Sequence, residues 1–494
     1  MQKKAQARLG SIFLVLSMLL NLLPITAIAS PLGETVERVQ DTETWYSDAT
    51  KAFDTRETYW NDQVTEAPES YSVDDSTKTV SIGSAEALVW WAKQVNGGTS
   101  FADYTVNITA DLDLSAHYWT PICTGTVSYG TNGKYSIVNN TTLEDTTING
   151  NGHEIIGLAT QTGVRGPNQD SQPGDGQNCY YDAAFIGYSC CNITIEDLTF
   201  DGARIAISEP FNEVVNTYGS SMLAVVVGAQ SGGSLTLSDV TVNDADVLAM
   251  QKASAFVGNL MGNSTLTVEQ CAITNSRFSA YFMVAPIASY GKVEQVNVNG
   301  IELENNTVRV VEQSGSTYTY DEETGAEYWE GDLNACATAL FNDGSSAAGK
   351  GTVWTPAAEV NGYLYDTLAA AVEAAVSSSD KTGTVTLLKD TEVSDPITIN
   401  QGETLTLDMQ GHTVTVSPDF STRLFTNYGD LTIKGNGTVD VTAAGANGYG
   451  TVNNFGTLTV VDGTYINPKE SDASNFYNRS GGTATFENAT IYGG

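Results

Sequence analysis

The end of the sequence contains a repeat, and this repeat constrains the fold more than any other feature does. Leu431, Leu458 and Ala484 occupy equivalent places in successive segments, 27 and 26 residues apart, and Leu405 lies 26 residues before Leu431. A fixed period in the twenties is typical of repeat architectures, in which each unit buries its apolar face against its neighbours. Apolar and polar residues alternate within each segment, and Thr, Val and Ile are enriched, which indicates strands. We therefore predict that each repeat forms one coil of a β-solenoid.

The charge of the chain excludes some classes of partner. The 494 residues include 58 acidic and 22 basic side chains, which gives a formal net charge of −36. Nucleic acids and anionic membrane surfaces are bound by clustered Lys and Arg, so we expect neither as a partner. Neutral glycans, cations or a soluble acidic surface are all compatible with this charge.

The N-terminus is typical of a secretory signal peptide, which we place at residues 1–29. A basic start precedes an apolar core over residues 12–23 and a small-x-small cleavage site at residues 27–29. The alternative is a membrane anchor, but the apolar run is short for a span and no second hydrophobic segment follows. We therefore expect a secreted, extracellular protein with no membrane span in the mature chain.

The cysteines indicate packing more than chemistry. Their spacing matches neither a zinc site nor a dense disulfide framework, although the sequence does not exclude an occasional disulfide in a secreted chain. Cys271 occupies a place where neighbouring coils carry Leu198 and Val240, so we predict a small buried apolar residue there. The six cysteines are Cys123, Cys179, Cys190, Cys191, Cys271 and Cys336.

The same order of elements occurs twice, which predicts two tandem modules. An apolar helical face over residues 84–97 precedes a strand over 106–114, and a second face over 368–376 precedes a strand over 385–393. A Gly-His turn follows each strand and coils come after it. A helix over the first coil has a physical purpose, because an open solenoid end exposes unpaired backbone.

The module boundaries follow from these patterns. Residues 30–75 are acidic and aromatic without clear periodicity, and we treat them as an N-terminal extension for which we predict no element. The first module covers residues 76–343, a linker covers 344–356 and the second module covers 357–494.

The coils of the first module are unevenly spaced. Ile195, Leu237, Val268 and Val293 mark four coils that are 42, 31 and 25 residues apart. The excess residues must form inserted loops. We place these loops at residues 160–181, 207–222 and 313–331.

Each clear coil of the first module contains two adjacent polar residues that interrupt the alternation. A strand cannot place two neighbours on its outer face without a bend, so each pair marks a corner between two faces of the coil. The pairs are Glu196-Asp197, Ser238-Asp239 and Glu269-Gln270.

The Leu-Thr-Ile/Val coils, with Asn-x-Gly before them, resemble the right-handed parallel β-helix of pectin-lyase-like proteins. Residues 112–122 and the stretch from Asp366 to Val414 are similar to segments of large surface proteins of gut-type Gram-positive bacteria. The resemblance covers about residues 80 to 494. It implies an all-β fold, a right-handed parallel β-helix with two tandem modules that each begin with a short capping helix. It implies no single activity, because that fold hosts lyases, hydrolases and adhesins alike.

The sequence does not define a catalytic set. His153 and His412 follow Gly at the same place in both modules, so turn structure explains them better than acid–base catalysis. His117 has no partner that the sequence reveals. A lyase of this fold would need Ca²⁺-binding carboxylates and a basic residue on one face. The candidates are Arg204, Arg277 and Arg309 near coils that carry Asp197, Asp201, Asp239 and Asp244.

Two acidic residues raise the question of a bound cation. Asp111 and Asp113 alternate with Leu112 and Leu114, so we expect both carboxylates to face outward. A Ca²⁺ site would need further oxygen ligands that the sequence does not place, which favours a solvated strand face. A bound Ca²⁺ is therefore an alternative that we leave open, and we predict no other cofactor or metal.

Two further patterns concern register and binding. Asn427, Asn454 and Asn478 recur at one place in successive coils, so we predict a hydrogen-bonded ladder of stacked amides. A predicted hairpin around Gly325 carries aromatic and acidic residues that suit a sugar ligand. The alternative, which we favour, is that these aromatic residues pair across the hairpin and pack on the solenoid. The candidate ligand-binding residues are Tyr318, Tyr320, Tyr328 and Trp329.

We predict a secreted or cell-surface, non-catalytic β-helix protein that is adhesin-like or glycan-binding. Its partners would be glycans or the surface of a host or neighbouring cell. The alternative is a polysaccharide lyase or glycoside hydrolase of the pectin-lyase-like fold. A groove in which carboxylates converge with Arg or Lys would favour the enzyme. The last coil has no capping element after it, so we also predict a fragment, with further coils and a wall anchor beyond Gly494.

Overall fold

The structure is a computed structural model that describes most of the chain. The described residues fold mainly into strands, which pair in large and mostly parallel sheets, so the chain is all-β as predicted. Most of the predicted signal peptide, of the three inserted loops and of the linker lies outside the described residues. The described residues are 28–29, 35–39, 56–129, 135–161, 183–206, 222–249, 252–280, 283–291, 295–311, 319–321, 326–328, 356–447, 450–467 and 474–493.

One long sheet runs through the described parts of both predicted modules. It contains 16 strands, and successive coils pair in parallel, as where Ile195 lies beside Leu237. Fifteen of its strands follow one another across the sheet and Leu112–Asp113 pairs at its side. The fifteen are Tyr71–Asp74, Thr79–Ile82, Thr105–Ile108, Thr146–Ile156, Ile193–Asp201, Ser234–Asn243, Thr265–Thr274, Val296–Glu304, Tyr363–Tyr365, Ala358–Val360, Thr382–Leu387, Thr404–Asp408, Asp430–Lys434, Thr457–Val460 and Thr483–Phe486.

Smaller sheets complete the first module. A seven-stranded sheet contains Ile28–Ala29, Thr35–Val39, Thr307–Val311, Arg277–Ala280, Asp246–Leu248, Arg204–Ala206 and Ala159–Gln161. A four-stranded sheet contains Val257–Met261, Val227–Ser231, Ile186–Ser189 and Ile122–Cys123, and a three-stranded sheet contains Met222–Ala224, Lys252–Ser254 and Met283–Val284. Two hairpins are formed by Gly125–Tyr129 with Tyr135–Asn139 and by Thr319–Asp321 with Ala326–Tyr328.

Each described repeat of the second module contributes strands to three sheets. Leu405 pairs with Leu431, Leu431 with Leu458, and Leu458 with Ala484, so the register that the sequence predicts is confirmed. One sheet, called the asparagine sheet below, contains Ile397–Ile399, Phe425–Asn427, Val452–Asn454 and Phe476–Asn478. The third sheet contains Thr391–Val393, Thr413–Val416, Thr438–Asp440, Thr464–Ile466 and Thr490–Tyr492.

The helices over residues 85–96 and 368–377 lie where the apolar faces predict them, and two short helices elsewhere were not predicted. Helix α1 spans Trp60–Gln63, α2 spans Ala85–Asn96, α3 spans Leu368–Ser377, and a 3-10 helix spans Thr442–Asn447. The Ser84 hydroxyl accepts a hydrogen bond from the Ala87 N–H at 3.2 Å, so the predicted N-cap of α2 is confirmed. Thr367 caps α3 in the same way, at 3.2 Å from the Ala370 nitrogen.

The strand predicted after each helix is wrong as a single element, because it is two strands in the structure. In the first module, Thr105–Ile108 and Leu112–Asp113 both pair with Thr146–Ile156. That neighbour shifts register between Asn149 and His153, at the Gly-His turn. A strand that pairs with such a neighbour must be interrupted at the point where the neighbour is irregular.

The fourth coil, predicted at residues 293–298, is placed correctly at Val296 and Val298, but its marker Val293 is wrong. Val268 pairs with Val298, and Leu266 pairs with Val296. Val296-Asn297-Val298 supplies the same apolar-polar-apolar triplet as the coil before it, and this triplet sets the register. Val293 lies outside the described residues.

The predicted corners contain residues with left-handed backbone conformation. Asp197, Asp239 and Gln270 have φ values of 51°, 52° and 50°, and Gly300 has φ of 110° at the next coil. The alternation of buried side chains restarts immediately after each of them. Asp, Asn and Gly are the residues that adopt this conformation most readily, which explains the polar pairs.

The buried apolar side chains of the described residues form two large cores. One takes its members from residues 60–301 and the other from residues 358–465, so each predicted module has a core of its own. The long sheet nevertheless crosses the boundary, because Val296–Glu304 pairs with Tyr363–Tyr365 in the antiparallel direction. Cys271 is fully buried in the first core, as predicted, and burial raises the pKa of its thiol to about 12.

Part of the predicted N-terminal extension packs on the first module. Arg56 donates to the Gly157 carbonyl at 2.7 Å, and the Trp60 indole N–H donates to the Leu114 carbonyl at 3.1 Å. Burial lowers the pKa of the Arg56 guanidinium. No periodicity is visible in this part of the sequence because these residues are held by side-chain contacts and not by a long element.

Candidate functional site

An exposed cluster of aromatic and arginine side chains lies on the asparagine sheet. Its members, called the aromatic face below, are Tyr428, Phe455, Tyr477, Arg423 and Arg479. Tyr428, Phe455 and Arg479 each follow the last residue of a strand in this sheet, namely Asn427, Asn454 and Asn478. Because these strands are parallel and in register, the residues that follow them are stacked in a column.

The asparagine ladder beneath this face fixes its register. The Asn427 amide donates to the Asn454 side-chain oxygen at 2.7 Å, and Asn454 donates to Asn478 at 2.7 Å. The predicted ladder is therefore confirmed. The Asn427 and Asn454 amides also donate to the carbonyls of Thr457 and Thr483, each at 2.9 Å. Since Asn427 and Asn454 are buried, a shift in register would leave their amides unsatisfied.

The side chains of the aromatic face contact one another along the column. The Tyr428 and Phe455 rings are stacked, with centroids 4.8 Å apart and planes 14° from parallel. The Arg479 guanidinium carbon lies 5.6 Å from the Phe455 ring centroid and 4.2 Å from that of Tyr477. The Arg423 guanidinium carbon lies 5.6 Å from the Tyr477 ring centroid. The result is a continuous surface of three rings and two cations.

These rings are exposed although they are large. The exposed fractions of Tyr428, Phe455 and Tyr477 are 46%, 37% and 44%. Clusters of exposed aromatic residues are uncommon on the surfaces of soluble proteins, and where they occur they often mark binding sites. Arg479 is positioned by a 2.8 Å hydrogen bond from its Nε to the Asn453 side-chain oxygen.

The two arginines form a local positive charge on an acidic chain. Burial, and then the charge of Arg479, lower the pKa of Arg423 to about 10. Arg423 donates to the Asn475 carbonyl at 3.1 Å. Among the residues that the structure describes, neither arginine forms an ion pair with a carboxylate. A bound anionic group would therefore relieve the repulsion between the two guanidinium groups.

A cleft of about 560 Å³ opens at the upper end of the column, beside helix α3. Thr398 and Asn400, which line it, come from the first strand of the asparagine sheet and the residue after it. Lys381 and Asp395 lie across the cleft. A second cleft of about 730 Å³, lined by Gln270, Tyr365 and Glu373 among others, lies where the long sheet passes between the modules.

The aromatic face has the chemistry of a sugar-binding surface. Exposed rings offer flat apolar platforms with polar groups at their margins, which suits the C–H face of a sugar ring. Guanidinium groups bind carboxylate and sulfate groups through paired hydrogen bonds.

The predicted ligand-binding hairpin is described only in its backbone. Thr319–Asp321 and Ala326–Tyr328 pair in the antiparallel direction, and Tyr320 lies opposite Glu327. Tyr318 and Trp329 lie outside the described residues, and the side chains of Tyr320 and Tyr328 are not described either. The hairpin therefore stays a predicted binding site.

Two of the three histidines occupy equivalent contacts in the two modules. His153 Nδ1 lies 3.0 Å from Asp111 Oδ1, and His412 Nδ1 lies 3.5 Å from Asp390 Oδ1. The same aspartates accept backbone N–H bonds from the residue after each histidine, at 3.2 and 2.8 Å. This repetition supports the interpretation of both histidines as parts of a turn.

His117, for which the sequence reveals no partner, has two partners in the structure. Its Nδ1 lies 2.6 Å from the Thr58 hydroxyl, and its ring meets the Trp60 ring edge-on at 4.8 Å between centroids. Both partners come from the part of the N-terminal extension that packs on the first module. His117 is therefore a docking residue of that segment.

The arginines proposed for a lyase are engaged in ion pairs where their side chains are described. Arg204 lies 3.1 Å from Asp244, and Arg277 binds the carboxylate of Asp246, a residue that the sequence did not single out. The Arg309 side chain is not described. Arg204, Asp246 and Arg277 stand side by side on three paired strands, so their charges alternate along the sheet.

The described residues offer no group of three or more His, Cys, Asp and Glu side chains that could hold a metal ion. Asp111 and Asp113, the pair considered for Ca²⁺, are directed to separate partners. Asp111 contacts His153, and Asp113 accepts from the Ser115 N–H at 2.9 Å. Hydrogen bonds with these partners lower the pKa of both aspartates.

The sequence contained a signal for the aromatic face that a two-residue insertion obscured. Asn427 and Asn454 lie three residues before the paired residues Asp430 and Thr457, whereas Asn478 lies five residues before Thr483. An alignment on the Leu-Thr motif alone therefore puts Ser480 in the place of Asn478. With the ladder as the anchor, Arg479 follows Tyr428 and Phe455 in the column.

Comparison with known proteins adds no relative: no protein family, no curated protein and no solved structure matches the chain. Within the described ranges, no helix has the length and apolar character needed to cross a membrane.

Proposed function

We propose that the chain is a secreted or cell-surface, non-catalytic protein that binds glycans through the aromatic face, in the manner of an adhesin. We further propose that its fold is a right-handed parallel β-helix of the pectin-lyase-like kind. Support for the fold comes from the second module, where successive repeats add a parallel strand to each of three sheets. The resemblance in sequence supports the same fold.

One observation carries the functional proposal. Three exposed rings and two arginines without a described carboxylate partner form a continuous surface over a buried ladder. The rings suit the apolar faces of sugar rings, and the arginines favour glycans with carboxylate or sulfate groups. The cleft at Thr398 and Asn400 extends this surface along the column, which suits an extended chain of sugars.

A glycan array that includes neutral, carboxylated and sulfated oligosaccharides tests the proposal. We expect the intact chain to bind acidic members of the array. Replacing Tyr428 and Phe455 together by Ala should weaken this binding about tenfold or more, because two stacking platforms are lost. Arg479→Gln should weaken the binding of acidic glycans more than that of neutral ones.

Tyr492→Ala is the matched control, since Tyr492 is another exposed aromatic residue of the second module, in a different sheet. Binding by the Tyr428/Phe455 double variant that equals binding by the intact chain would overturn the proposal. The double variant Tyr328→Ala and Trp329→Ala tests the predicted hairpin separately. If only that variant loses binding, the hairpin and not the aromatic face is the site.

The described arginines favour binding over the alternative of polysaccharide cleavage. Arg204 and Arg277 are engaged with aspartates and are not available as bases. Incubation with a panel of acidic and plant polysaccharides decides between the two functions, with ultraviolet absorbance following unsaturated products and a reducing-end assay following hydrolysis. Turnover of any member would contradict the non-catalytic proposal.

A further inference from the structure

Two adjacent cysteines in the first module direct their sulfurs toward one carbonyl group. Cys190 and Cys191 follow the strand Ile186–Ser189, and both are free thiols. Cys190 Sγ lies 3.2 Å from the Asn140 carbonyl oxygen, and Cys191 Sγ lies 3.4 Å from the same atom. Neighbouring residues of a regular strand point to opposite faces, so this convergence is specific to the turn that they occupy.

These sulfurs contact the base of a hairpin. Thr124 and Asn140 flank the hairpin formed by Gly125–Tyr129 and Tyr135–Asn139, and the Asn140 N–H donates to the Thr124 carbonyl at 2.9 Å. Cys190 Sγ lies 3.1 Å from that same Thr124 carbonyl, and the Cys190 N–H donates to the Thr124 hydroxyl at 3.0 Å. The thiol pair therefore contacts the base of the hairpin from the connection between the four-stranded sheet and the long sheet.

The two thiols differ in exposure and in acidity. Cys191 is fully buried, whereas Cys190 is half-buried. Their mutual hydrogen bond raises the pKa of Cys191, and the same contact lowers the pKa of Cys190. Cys190 is thus the thiol that reacts first, and Cys191 is the one that retains its proton.

We propose that Cys190 and Cys191 form a redox-active dithiol, which closes to a vicinal disulfide by exchange with a small-molecule disulfide and thereby loosens the hairpin. The Cys190 thiolate attacks one sulfur of the external disulfide and releases one thiolate from it. Cys191 then loses its proton and attacks Cys190 Sγ, which releases the second small thiolate. The cysteine pair is oxidised by two electrons, and the external disulfide is reduced to two thiols.

Closure has a structural consequence because a disulfide carries no S–H group. In the dithiol each S–H group can donate its single hydrogen to one acceptor at a time, and the Asn140 and Thr124 carbonyls are among the acceptors within reach. After closure neither sulfur can donate to these carbonyls. Adjacent Cα atoms are about 3.8 Å apart, which is closer than in ordinary disulfides. The closed form is therefore strained and readily reduced, so we expect a reversible switch and not a permanent crosslink.

Incubation of the full chain with oxidised or reduced glutathione tests the proposal. After oxidation, alkylation and digestion, mass spectrometry should find Cys190 and Cys191 unalkylated in one peptide that has lost two hydrogens. Hydrogen exchange of the hairpin amides over residues 125–129 and 135–139 should become about fivefold faster and should return to the original rate on reduction. Alkylation of both thiols after oxidation, or a disulfide between Cys190 and Cys123, would overturn the proposal.

Cys190→Ser separates the switch from simple loss of a contact. The serine hydroxyl can still donate to Thr124 but cannot form a disulfide, so hairpin exchange should be slow and insensitive to glutathione. Cys271→Ser, which alters a distant buried thiol, should switch like the intact chain. A Cys190→Ser variant whose hairpin responds to oxidation as strongly as the intact chain would contradict the proposal. The mass measurement on the unaltered chain needs no variant to fold.

Discussion

At the scale of single residues, Asn454 shows what a repeat position can require. Its side chain is buried, accepts from Asn427 and donates to Asn478 and Thr483, so it connects three successive repeats. An apolar residue of similar size could fill the space but could not satisfy the carbonyl and amide groups around it. The ladder therefore determines both the register of the repeats and the column of side chains above it.

Asn454→Ala should lower the free energy of unfolding by about 1–3 kcal/mol, because it leaves buried polar groups without partners. Urea unfolding followed by circular dichroism measures the change. Asn453→Ala is the matched control, since Asn453 belongs to the same strand but makes one exposed contact with Arg479. We expect the control to cost less than about 0.5 kcal/mol. Equal losses in the two variants would show that the ladder does not stabilise the fold.

The contact between Asp111 and His153 makes part of the stability depend on pH. The hydrogen bond with His153, and then the Glu154 N–H, lower the pKa of Asp111 in the folded chain. A carboxylate with a lowered folded pKa stabilises the fold above its unfolded pKa of about 4, and this contribution is lost as the pH falls through the folded value.

Asp111→Asn should therefore lower the urea midpoint at neutral pH, and the difference from the intact chain should vanish once the pH falls below the folded pKa of Asp111. Urea titrations at several pH values measure this difference. Asp419→Asn, which changes an exposed aspartate, should leave the midpoint unchanged throughout. A difference for Asp111→Asn that persists at the lowest pH would contradict the linkage.

At the scale of elements, the corner of each first-module coil depends on one residue in left-handed conformation. Asp239 has φ of 52° and is exposed, so its identity is selected by backbone conformation and not by packing. A β-branched residue is strongly disfavoured there, since its side chain meets the backbone.

Asp239→Ile should destabilise the chain by about 1–2 kcal/mol, whereas Asp239→Gly should cost little or nothing. Chemical denaturation of both variants measures the change. The neighbouring substitution Ser238→Ile is the control, because position 238 is not left-handed and β-branched residues suit a strand. If Ser238→Ile were as harmful as Asp239→Ile, side-chain exposure and not backbone conformation would explain the loss.

The elements that the sequence predicted well are those with a strong local signal. The helix that begins after Ser84 has an apolar face, a capping hydroxyl and a glycine end, and all three are local. The split of the strand at residues 105–113 was not predictable in this way, because a bend in the neighbouring strand causes it. The shift of the fourth coil to Val296 has the same origin, since only pairing with Leu266 distinguishes it from Val293.

At the scale of the whole molecule, two cores share one sheet. Leu237 lies in the first core and Leu431 in the second, and both are buried. In repeat proteins stability is close to a sum of unit and neighbour terms, so damage should spread mainly to adjacent repeats. The junction at residues 296–304 and 363–365 is antiparallel and short, which predicts weak coupling between the modules.

Leu431→Ala should accelerate hydrogen exchange in strands of the second module, at a cost of about 2–5 kcal/mol to its local stability. Strands of the first module should exchange as in the intact chain. Leu237→Ala serves as the reciprocal variant, with the opposite distribution. Faster exchange in both modules from either substitution would mean that the chain unfolds as one cooperative unit, and the prediction of two modules would fail.

The sequence by itself determined the all-β class, the period of the repeats, the Ser84 cap of helix α2 and the asparagine ladder. Each of these follows from residues that are close in sequence or separated by the repeat length. Their arrangement in space can therefore be inferred from their positions in the chain. The aromatic face and the Cys190 and Cys191 contacts with Asn140 were decided only by the tertiary structure. Arg423 meets Tyr477, and Cys190 meets Thr124, across separations that no local pattern encodes. The register of parallel strands brings them together, and that register is set by burial and backbone pairing over the whole sheet.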